Sequence, residues 1–298
     1  MASSVVGQPQ GIAGHELESY RGKRFVVKLG GEVMQNAMGL RAMSVDIALM
    51  SSQGIGVVVV HGGGPQADAL TETLGHTVRK VQGRRVTDDA ALEVIKMVYG
   101  GSINIEMLAA LRASGARGVG LSGVDAGLIT VTRRPSVMLR DPQTGSEELV
   151  DYGHVGDVAS VDVSVLDLLL NSGYVPVVAS LAADTEGNIY NINADTVATV
   201  LAKALDAEGL YLVTNVPGIL RDHSDRSSLI AECTASEAKA LIESGVVSGG
   251  MLPKVQNCLS ALRGGVKQVR ILDGSRAESL LLQSLTQSAV GTVLVDDR

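Results

Sequence analysis

The chain has 298 residues, a formal net charge of −7 at pH 7, and hydrophobic residues make up 45% of it. This length suits one large domain or two closely joined lobes, and the apolar share is enough to bury a large core. The acidic balance argues against a protein that binds nucleic acid or an anionic membrane through a basic surface. A local anion site made of backbone amides and a few lysines remains compatible with it.

The N-terminus and the cysteines bear on location. Residues 1–20 lack a basic start followed by an apolar block, and their Gly, Gln and Ser content predicts a flexible arm. Cys233 and Cys258 have no metal-type spacing, so reduced thiols are expected. No apolar run approaches the roughly 18 residues of a membrane helix. We therefore expect a cytoplasmic protein without a membrane span.

Strand and helix patterns alternate along the chain. In the first half they predict strand 25–28, helix 41–53, strand 57–60, helix 66–75, a hairpin over 78–86, helix 88–113 with a break at Gly100-Gly101, and strands 117–122 and 128–133. In the second half they predict hairpins and loops over 137–163, helix 164–172, strands 175–179 and 189–191, helix 195–207, strand 210–214, a loop over 215–228, helices 235–244 and 250–264, strand 267–272, helix 276–286 and strand 291–295. This alternation predicts an α/β fold with a mainly parallel sheet and helices on both faces.

Two glycine clusters follow apolar strands directly. They are Lys28-Leu29-Gly30-Gly31 and His61-Gly62-Gly63-Gly64. A strand that opens into glycines exposes backbone N–H groups, and before a helix such a loop can hold an anion. Ordinary tight turns also need glycine, so one cluster alone would not decide the matter. Two clusters, one of them carrying a lysine, favour an anion site.

Polar residues open two later helices. Asn191, Asn193 and Asp195 fall at a strand-to-helix junction, and Lys254 lies in the first turn of the helix that follows Ser248. Each asparagine or aspartate alone could be a helix cap, and a single lysine is usually solvated. Three polar side chains in five residues exceed the needs of a cap. An anionic ligand would also offset the unfavourable placement of a lysine in a first helical turn.

The common phosphate-binding motifs give a negative result. The sequence contains no G-x-x-x-x-G-K-[ST] motif and none of the protein-kinase motifs. A G-x-G-x-x-G occurs at 118–123, but it coincides with a predicted strand and is not followed by a helix. We therefore do not interpret it as a dinucleotide fingerprint.

Seven motifs together resemble a known family. They are KLGG at 28–31, HGGGPQ at 61–66, GRRVTD at 83–88, GLSG at 120–123, YNINADT at 190–196, NVPGIL at 215–220 and GGMLPKV at 249–255. Their order and spacing, from about residue 21 to the C-terminus, resemble those of the N-acetylglutamate kinases of the amino acid kinase family. The resemblance implies a three-layer αβα sandwich with a mainly parallel central sheet. It also implies an N-terminal lobe, 21–184, for the amino acid and a dimer contact, and a C-terminal lobe, 185–298, for ATP.

The resemblance further implies a reaction. The γ-phosphoryl group of ATP would pass to the side-chain carboxylate of N-acetyl-L-glutamate, giving N-acetyl-L-glutamyl 5-phosphate and ADP in the second step of arginine biosynthesis. Lys28 and Lys254 would contact the phosphoryl group from the acceptor and nucleotide sides, and Asp195 would orient both. Mg²⁺ would be held mainly by the nucleotide phosphates. The acceptor carboxylate is already ionised near neutral pH, so no general base is required.

Binding residues follow from the same resemblance. The expected acceptor contacts are Gly31, Gly63, Gly64, Arg85, Asn191 and Asn193. Arg85 would pair with the α-carboxylate, since a guanidinium group matches a carboxylate with two hydrogen bonds. The expected nucleotide contacts are Gly30, Asn215, Val216, Gly218, Ile219, Leu220, Val246, Val247, Ser248 and Gly250.

The chain departs from the family pattern near both pockets. Arg84 stands where leucine is usual and adds a cation near the acceptor, which bears on recognition of the acetyl group. Asn215 stands where aspartate is common, so we expect a modest change in the nucleotide pocket.

Two further departures concern regulation. The N-terminal arm contains Pro9, Gly11 and Gly14 and is a poor match for the extra helix of arginine-inhibited hexameric relatives. Glu278 and Gln283 replace the histidine and glutamate typical of arginine-binding members. We therefore expect weak or no arginine feedback, and a homodimer in preference to a hexamer.

Two other functions remain open at this stage. One is a kinase for aminoadipate or glutamate bound to a small acidic carrier protein, for which Arg84 could be a contact. The other is a non-catalytic amino acid sensor with the same fold. A sensor should have lost Lys28, Asp195 or Lys254, and all three are present.

Overall fold

The computed structural model describes residues 17–140, 147–275, 280–286 and 290–297 of the chain. Its strands are β1 Arg24–Leu29, β2 Gly56–His61, β3 Lys80–Val81, β4 Arg84–Arg85, β5 Gly118–Ser122, β6 Ile129–Arg133, β7 Val137–Arg140, β8 Glu147–Val150, β9 Gly156–Val161, β10 Val175–Ala179, β11 Leu181–Ala183, β12 Ile189–Asn191, β13 Gly209–Thr214, β14 Glu232–Thr234, β15 Gln268–Asp273 and β16 Thr292–Val295. Its helices are α1 Gly31–Gln35, α2 Ala37–Ser52, α3 Gly64–Thr73, α4 Asp89–Ala113, α5 Ser164–Asn171, α6 Ala194–Ala204, α7 Ala235–Glu243, α8 Met251–Arg263 and α9 Leu280–Thr286.

The main sheet has, within the described ranges, eight strands in the order β14-β16-β15-β13-β1-β2-β10-β5. Neighbouring strands are parallel except for the antiparallel pair β15–β16. Strand β1 lies inside the sheet, between β13 and β2. Because parallel strands end at one edge, the loops after β1, β2 and β13 come together there. The prediction of a mainly parallel α/β sheet is confirmed.

Alternate residues of the central strands enter two separate cores. Val26 packs in a core with Val197 of α6 and Leu259 of α8, whereas Val27 packs in a core with Met43 of α2 and Met107 of α4. A strand directs successive side chains to opposite faces, so these two cores lie on opposite sides of the sheet. The predicted three-layer αβα sandwich is therefore confirmed.

Helix α4 differs from its prediction. The expected break at Gly100-Gly101 was wrong, since the chain continues through a π-helical segment, Lys96–Ile103. Such wide turns accommodate an extra residue without ending a helix. Helix α4 is long and apolar enough to cross a membrane by length and composition alone. Its buried side chains, including Ile95, Met107 and Leu111, belong to the core of the sandwich, so packing accounts for its apolar character.

The smaller elements complete the fold. A second sheet has the order β12-β11-β6-β9, and β3–β4 forms the hairpin predicted over 78–86. The short helix α1 and strand β11 were not predicted. Leu17 and Tyr20, which fall within the predicted arm, pack against the core, whereas residues 1–16 and Glu278 lie outside the described residues.

The G-x-G-x-x-G at 118–123 proves to be a packing feature. A Cβ at Gly120 would lie 2.1 Å from Oδ1 of Asn104, and one at Gly118 would lie 2.8 Å from Leu108. These glycines let β5 approach helix α4 closely. This arrangement agrees with the prediction that the motif is not a dinucleotide fingerprint.

Candidate active site

Three charged side chains meet at the carboxyl edge of the main sheet. Lys28 is the penultimate residue of β1, Asp195 lies in the first turn of α6, and Lys254 lies near the start of α8. Lys28 Nζ lies 2.8 Å from Asp195 Oδ1, and Lys254 Nζ donates to Asp195 Oδ2 at 3.2 Å. Lys28 and Asp195 are buried, and Lys254 is partly exposed. One carboxylate thus holds two ammonium groups in place.

The electrostatics of Asp195 follow from this contact. Burial alone would raise the pKa of its carboxyl group, but the charges of Lys28 and Lys254 and their contacts outweigh burial and lower the pKa to about 2. The group is therefore ionised across the physiological range. The three residues together carry one net positive charge, which suits an anionic ligand.

The two glycine loops pack directly against each other. A Cβ at Gly31 would lie 2.7 Å from Pro65 Cδ and 2.9 Å from Gln66 Oε1. Gln66 Nε2 donates to the carbonyl of Gly31 at 2.8 Å. Glycine at 31 is required by this close approach. The loops after β1 and β2 thereby form one surface beside Lys28.

Helix α4 supports the second loop from behind. A Cβ at Gly63 would lie 2.2 Å from Ile103 Cδ1 and 3.0 Å from the ring of Tyr99, both in the π-helical segment. At Gly64, in contrast, a Cβ would meet no atom within 4 Å. Gly63 is therefore needed for packing, whereas the space beside Gly64 is open to a ligand.

A buried polar pair fixes the start of this loop. Asn104 Nδ2 lies 3.1 Å from His61 Nε2, and His61 Nδ1 contacts the carbonyl of Gly62 at 3.0 Å. Burial is the main cause that lowers the pKa of His61 to about 4. The neutral ring, with its proton on Nδ1, therefore links Asn104 to the loop backbone. His61 serves the backbone here and is not placed as an acid or base.

A cavity of about 330 Å³ opens in front of these loops. Its lining includes the three catalytic candidates and all six predicted acceptor contacts, namely Lys28, Asp195, Lys254, Gly31, Gly63, Gly64, Arg85, Asn191 and Asn193. Residues far apart in the sequence are thus brought to one surface. This is what the motif resemblance predicts for the acceptor side.

Arg85 enters this cavity from the β3–β4 hairpin. Its side chain is buried, and Nη2 donates to the carbonyl of Gly64 at 3.1 Å and to Oδ1 of Asp68. Lys80 Nζ, from the paired strand, donates to Oδ2 of the same aspartate at 2.7 Å. Arg84 also lines the cavity mouth.

The asparagines before α6 have two kinds of contact. Asn193 is the N-cap of the helix, and its Oδ1 accepts from the N–H groups of Asp195 at 2.8 Å and Thr196 at 3.2 Å. Asn191 Nδ2 donates to Thr87 Oγ1 at 3.3 Å. The capping alternative for Asn193 is therefore real, and it aligns Asp195 by fixing the first turn. Both asparagines also line the cavity.

A second cavity, of about 530 Å³, adjoins the first. Nine of the ten predicted nucleotide contacts line it, namely Asn215, Val216, Gly218, Ile219, Leu220, Val246, Val247, Ser248 and Gly250. Gly30 is outside its lining, and its N–H donates to the carbonyl of Val213 at 3.0 Å. Lys254 lines both cavities.

Strand β16 supports the loop after β13, which lines the second cavity. Thr292 Oγ1 accepts from the N–H of Ile219 at 2.8 Å and donates to the carbonyl of Ile230 at 2.6 Å. Gly218 has a φ of +145°, and a Cβ there would lie 2.4 Å from Thr292 Oγ1. Both the left-handed backbone and the close contact require glycine. The loop after β13 is therefore fixed by a residue about 75 positions later.

Several lining residues were missed by sequence reasoning. The first cavity also includes Lys80, Tyr99 and Arg134, and the second includes His223. Tyr99 is buried, and burial is the main cause that raises its pKa to about 12. The sequence does mark Tyr99, because this residue directly precedes the glycine pair at which a helix break was predicted. Asp68 could also have been found from the sequence, because it lies one turn after Gly64 on α3.

The arrangement indicates a definite type of chemistry. Cationic groups and open backbone amides surround the region where the two cavities adjoin. This region suits a transferring phosphoryl group, which carries charge on its oxygens. In the part of the chain that the structure describes, no group of three or more His, Cys, Asp or Glu side chains forms a metal cluster. Both oxygens of Asp195 are engaged by lysines. Positioning and charge stabilisation, not acid–base chemistry, are what these residues can supply.

Comparison with known proteins agrees with this chemistry. The sequence pattern of the amino acid kinase family matches residues 23–273. The chain is 47% identical over 279 residues to acetylglutamate kinase of Symbiobacterium thermophilum, covering 94% of each chain. It is 44% identical to acetylglutamate kinase of Myxococcus xanthus, covering 94% of this chain and 91% of that one.

Solved structures give the same fold. N-acetylglutamate synthase from Neisseria gonorrhoeae, complexed with coenzyme A and N-acetyl-glutamate, superposes with a TM-score of 0.79 at 26% identity. That comparison covers 95% of this chain, which spans only 62% of the synthase. Carbamate kinase from Giardia lamblia superposes with a TM-score of 0.62 at 18% identity, a likeness that concerns the fold alone.

Proposed function

The chain belongs to the amino acid kinase family, and we propose on this premise that it is an acetylglutamate kinase. It transfers the γ-phosphoryl group of ATP to the side-chain carboxylate of N-acetyl-L-glutamate, giving N-acetyl-L-glutamyl 5-phosphate and ADP, within arginine biosynthesis. The observation that carries the proposal is the pair Lys28 and Lys254 on one carboxylate, between two cavities of the required kind. Relatives named acetylglutamate kinase match nearly the full length at 41–47% identity.

The acceptor would occupy the first cavity. Its side-chain carboxylate is ionised near neutral pH and attacks phosphorus without help from a base. Arg85 would bind the α-carboxylate, and Asn191 and Asn193 would contact the acetylated amino group. The amides of Gly31, Gly63 and Gly64 would donate to the transferring phosphoryl group, and Lys28 would offset its charge from the acceptor side. The open space at Gly64 and the position of all three glycines in the cavity lining support these roles.

The nucleotide would occupy the second cavity. The residues after β13 and those before α8 would hold its base and ribose, and the N-terminus of α8, with Lys254 close by, would face its phosphates. Mg²⁺ would be carried mainly by the phosphates, because the described residues offer no cluster of ligands. When bound, it would neutralise charge on the β- and γ-phosphate oxygens. Lys254 would do so from the protein side, and Asp195 would keep both lysines aligned.

The proposed assembly and location follow from other features of the chain. We infer two lobes, 21–184 for the amino acid and 185–298 for ATP, because the acceptor and nucleotide cavities draw mainly on these two ranges. We infer a homodimer because Met97 and Ile105 of α4 are at least half exposed, which gives this helix an apolar outer surface. A cytoplasmic location suits two free, buried cysteines and the use of ATP.

A direct assay tests the proposed function. ADP release should be measured with N-acetyl-L-glutamate, L-glutamate and aminoadipate as acceptors, each with and without added Mg²⁺. We expect turnover only with N-acetyl-L-glutamate and only with the metal. Activity with aminoadipate or L-glutamate in place of N-acetyl-L-glutamate would instead support the carrier-dependent kinase. Binding without turnover of any acceptor would support a sensor.

A further inference from the structure

Asp68 contacts two of the cations that line the first cavity, although it is not itself part of the lining. Its Oδ1 accepts from Arg85 Nη2, and its Oδ2 accepts from Lys80 Nζ at 2.7 Å. The exposed fraction of the side chain is 8% for Arg85, 22% for Asp68 and 46% for Lys80. The contact with Arg85 is therefore shielded from solvent, whereas the contact with Lys80 lies at the rim. Neither Asp68 nor Lys80 is among the site residues predicted from the sequence.

The connection between elements gives this contact a specific meaning. Asp68 lies one turn into α3, the helix that begins at Gly64 of the second glycine loop. Arg85 and Lys80 lie opposite each other on the β3–β4 hairpin. Arg85 also donates to the carbonyl of Gly64 at 3.1 Å. Two contacts to one nitrogen thus join the hairpin to the helix that starts at the phosphoryl-binding loop.

The charge balance leaves Arg85 able to bind an anion. Lys80, Asp68 and Arg85 together carry one net positive charge, so the aspartate does not cancel the arginine. Among the described residues, the contacts of the Arg85 guanidinium use Nη2, and a guanidinium group has five donors. Nη1 and Nε thus keep three donors for a ligand. A guanidinium that is held at one corner loses less rotamer freedom when it binds a carboxylate.

We propose that Asp68 is a positioning residue for acceptor recognition. It fixes Arg85 relative to the glycine loop, and Lys80 offsets its charge so that Arg85 still attracts the α-carboxylate of the acceptor. This inference rests on the proposed function, since it assigns Arg85 to that carboxylate. The contact of Asp68 with Arg85 thereby sets the spacing between the α-carboxylate site and the glycine loop that begins α3.

An opposite interpretation makes the proposal easy to test. Under the opposite interpretation, Asp68 competes with the acceptor by occupying Arg85, and its removal tightens acceptor binding. Under our proposal its removal weakens acceptor binding, because Arg85 loses its anchor. The two interpretations differ in the sign of the change in KM for N-acetyl-L-glutamate.

The experiment compares steady-state kinetics of the full chain and its variants Asp68→Asn, Asp68→Glu and Asp167→Asn. Asp167 serves as the matched control, because it pairs with Arg24 at 2.8 Å outside both cavities. For Asp68→Asn we expect KM for N-acetyl-L-glutamate to rise on the order of tenfold, the loss expected for one hydrogen bond to a charged group. KM for ATP should change less than twofold. Asp68→Glu should restore part of the loss, and Asp167→Asn should match the unchanged chain.

The possible outcomes separate the proposals. An unchanged or lowered KM for N-acetyl-L-glutamate in Asp68→Asn overturns the positioning role, as does an equal rise in both KM values. If Asp68→Asn fails to fold, Lys80→Met gives the test, because it leaves Asp68 opposite Arg85 with no offsetting charge. KM for the acceptor should then rise by several-fold, and an unchanged value overturns the proposal. Failure of the unchanged chain to phosphorylate N-acetyl-L-glutamate would instead refute the proposed function itself.

Discussion

Lys254 Nζ donates to Asp195 Oδ2 at 3.2 Å while its side chain lines both cavities of the site. The lysine therefore stands at the boundary where the acceptor and nucleotide cavities meet. Its partner in the contact also holds Lys28, at the other oxygen. A single buried carboxylate thus spaces the two cations that, under the proposed function, would approach the transferring phosphoryl group from opposite sides.

Removing either lysine should slow the chemical step. Both Lys28→Ala and Lys254→Ala delete a charge that stabilises the transferring phosphoryl group, so we expect a loss on the order of 2–4 kcal/mol, or about 30- to 1,000-fold in kcat. The measurement is steady-state ADP release with N-acetyl-L-glutamate. Lys239→Ala, at an exposed site on α7, is the control and should retain full activity. Near-normal turnover of Lys28→Ala would refute the site assignment.

Asp195 should make stability depend on pH at the acid end. Its pKa falls from the usual 3.8 to about 2 in the folded chain. Between these values the unfolded carboxyl binds more protons, so the contribution of the group to stability is present above about pH 4 and is lost as pH falls toward 2. The loss should be about 2 kcal/mol by linkage. Urea unfolding of the unchanged chain and Asp195→Asn should therefore differ less at pH 2.5 than at pH 5. A difference that does not vary with pH would contradict this.

Two neighbouring glycines should respond differently to alanine. Gly63→Ala places a methyl group 2.2 Å from Ile103 Cδ1, so we expect a loss of about 1–3 kcal/mol in the free energy of unfolding. Gly64→Ala meets no atom within 4 Å, so stability should be nearly unchanged. Its methyl group should instead narrow the phosphoryl site and lower kcat/KM at least tenfold. Thermal unfolding together with ADP release separates the two effects, and equal destabilisation of both variants would count against the packing argument.

Thr292 should affect the nucleotide and not the acceptor. Thr292→Val keeps the side-chain volume but leaves the buried N–H of Ile219 and the carbonyl of Ile230 without their partner, at a cost of about 1–3 kcal/mol. Because Ile219 lines the second cavity, KM for ATP should rise while KM for N-acetyl-L-glutamate stays constant. The kinetic comparison checks this, and a selective change in the acceptor KM would contradict it.

Arginine should be a weak effector or none, and the chain should form a dimer. Gln283 stands where glutamate is usual, and this replacement removes a carboxylate that would bind a guanidinium group at that position. Activity at 1 mM arginine should therefore stay above about half its normal value. Light scattering should give about twice the 30.9 kDa chain mass, and Met97→Lys should shift it toward the monomer. A hexamer inhibited by micromolar arginine would refute both expectations.

Most of the fold could be predicted from the sequence, because most helices and strands have a recognisable local sequence pattern. Apolar β-branched runs such as 57–60 specify buried strands, and the glycines after them specify the loops. The assignments of Lys28, Asp195 and Lys254 came from motif order, which no single residue could supply. Their meeting on one carboxylate follows from the parallel sheet, which brings strand ends to a common edge.

The sequence alone could not predict contacts between elements that lie far apart along the chain. Gly100-Gly101 resembled a helix break, because local propensity does not reveal that a π-helical segment packs there against Gly63. The pairing of Asp68 with Arg85 and Lys80 joins a helix to a hairpin, and no local pattern encodes it. Gly30 was placed in the nucleotide site by motif, yet its amide is used within the sheet edge.

The hydrogen bonds of Thr292 have a consequence for synthesis of the chain. The loop at Ile219 is complete only when β16 has been added, and β16 inserts beside β15 in antiparallel orientation. A ribosome must therefore release residue 292 before the loop that lines the second cavity can take its final shape. Nascent or prematurely stopped chains would contain both lysines and yet fail to retain nucleotide, so ATP affinity could report whether translation reached the last strand.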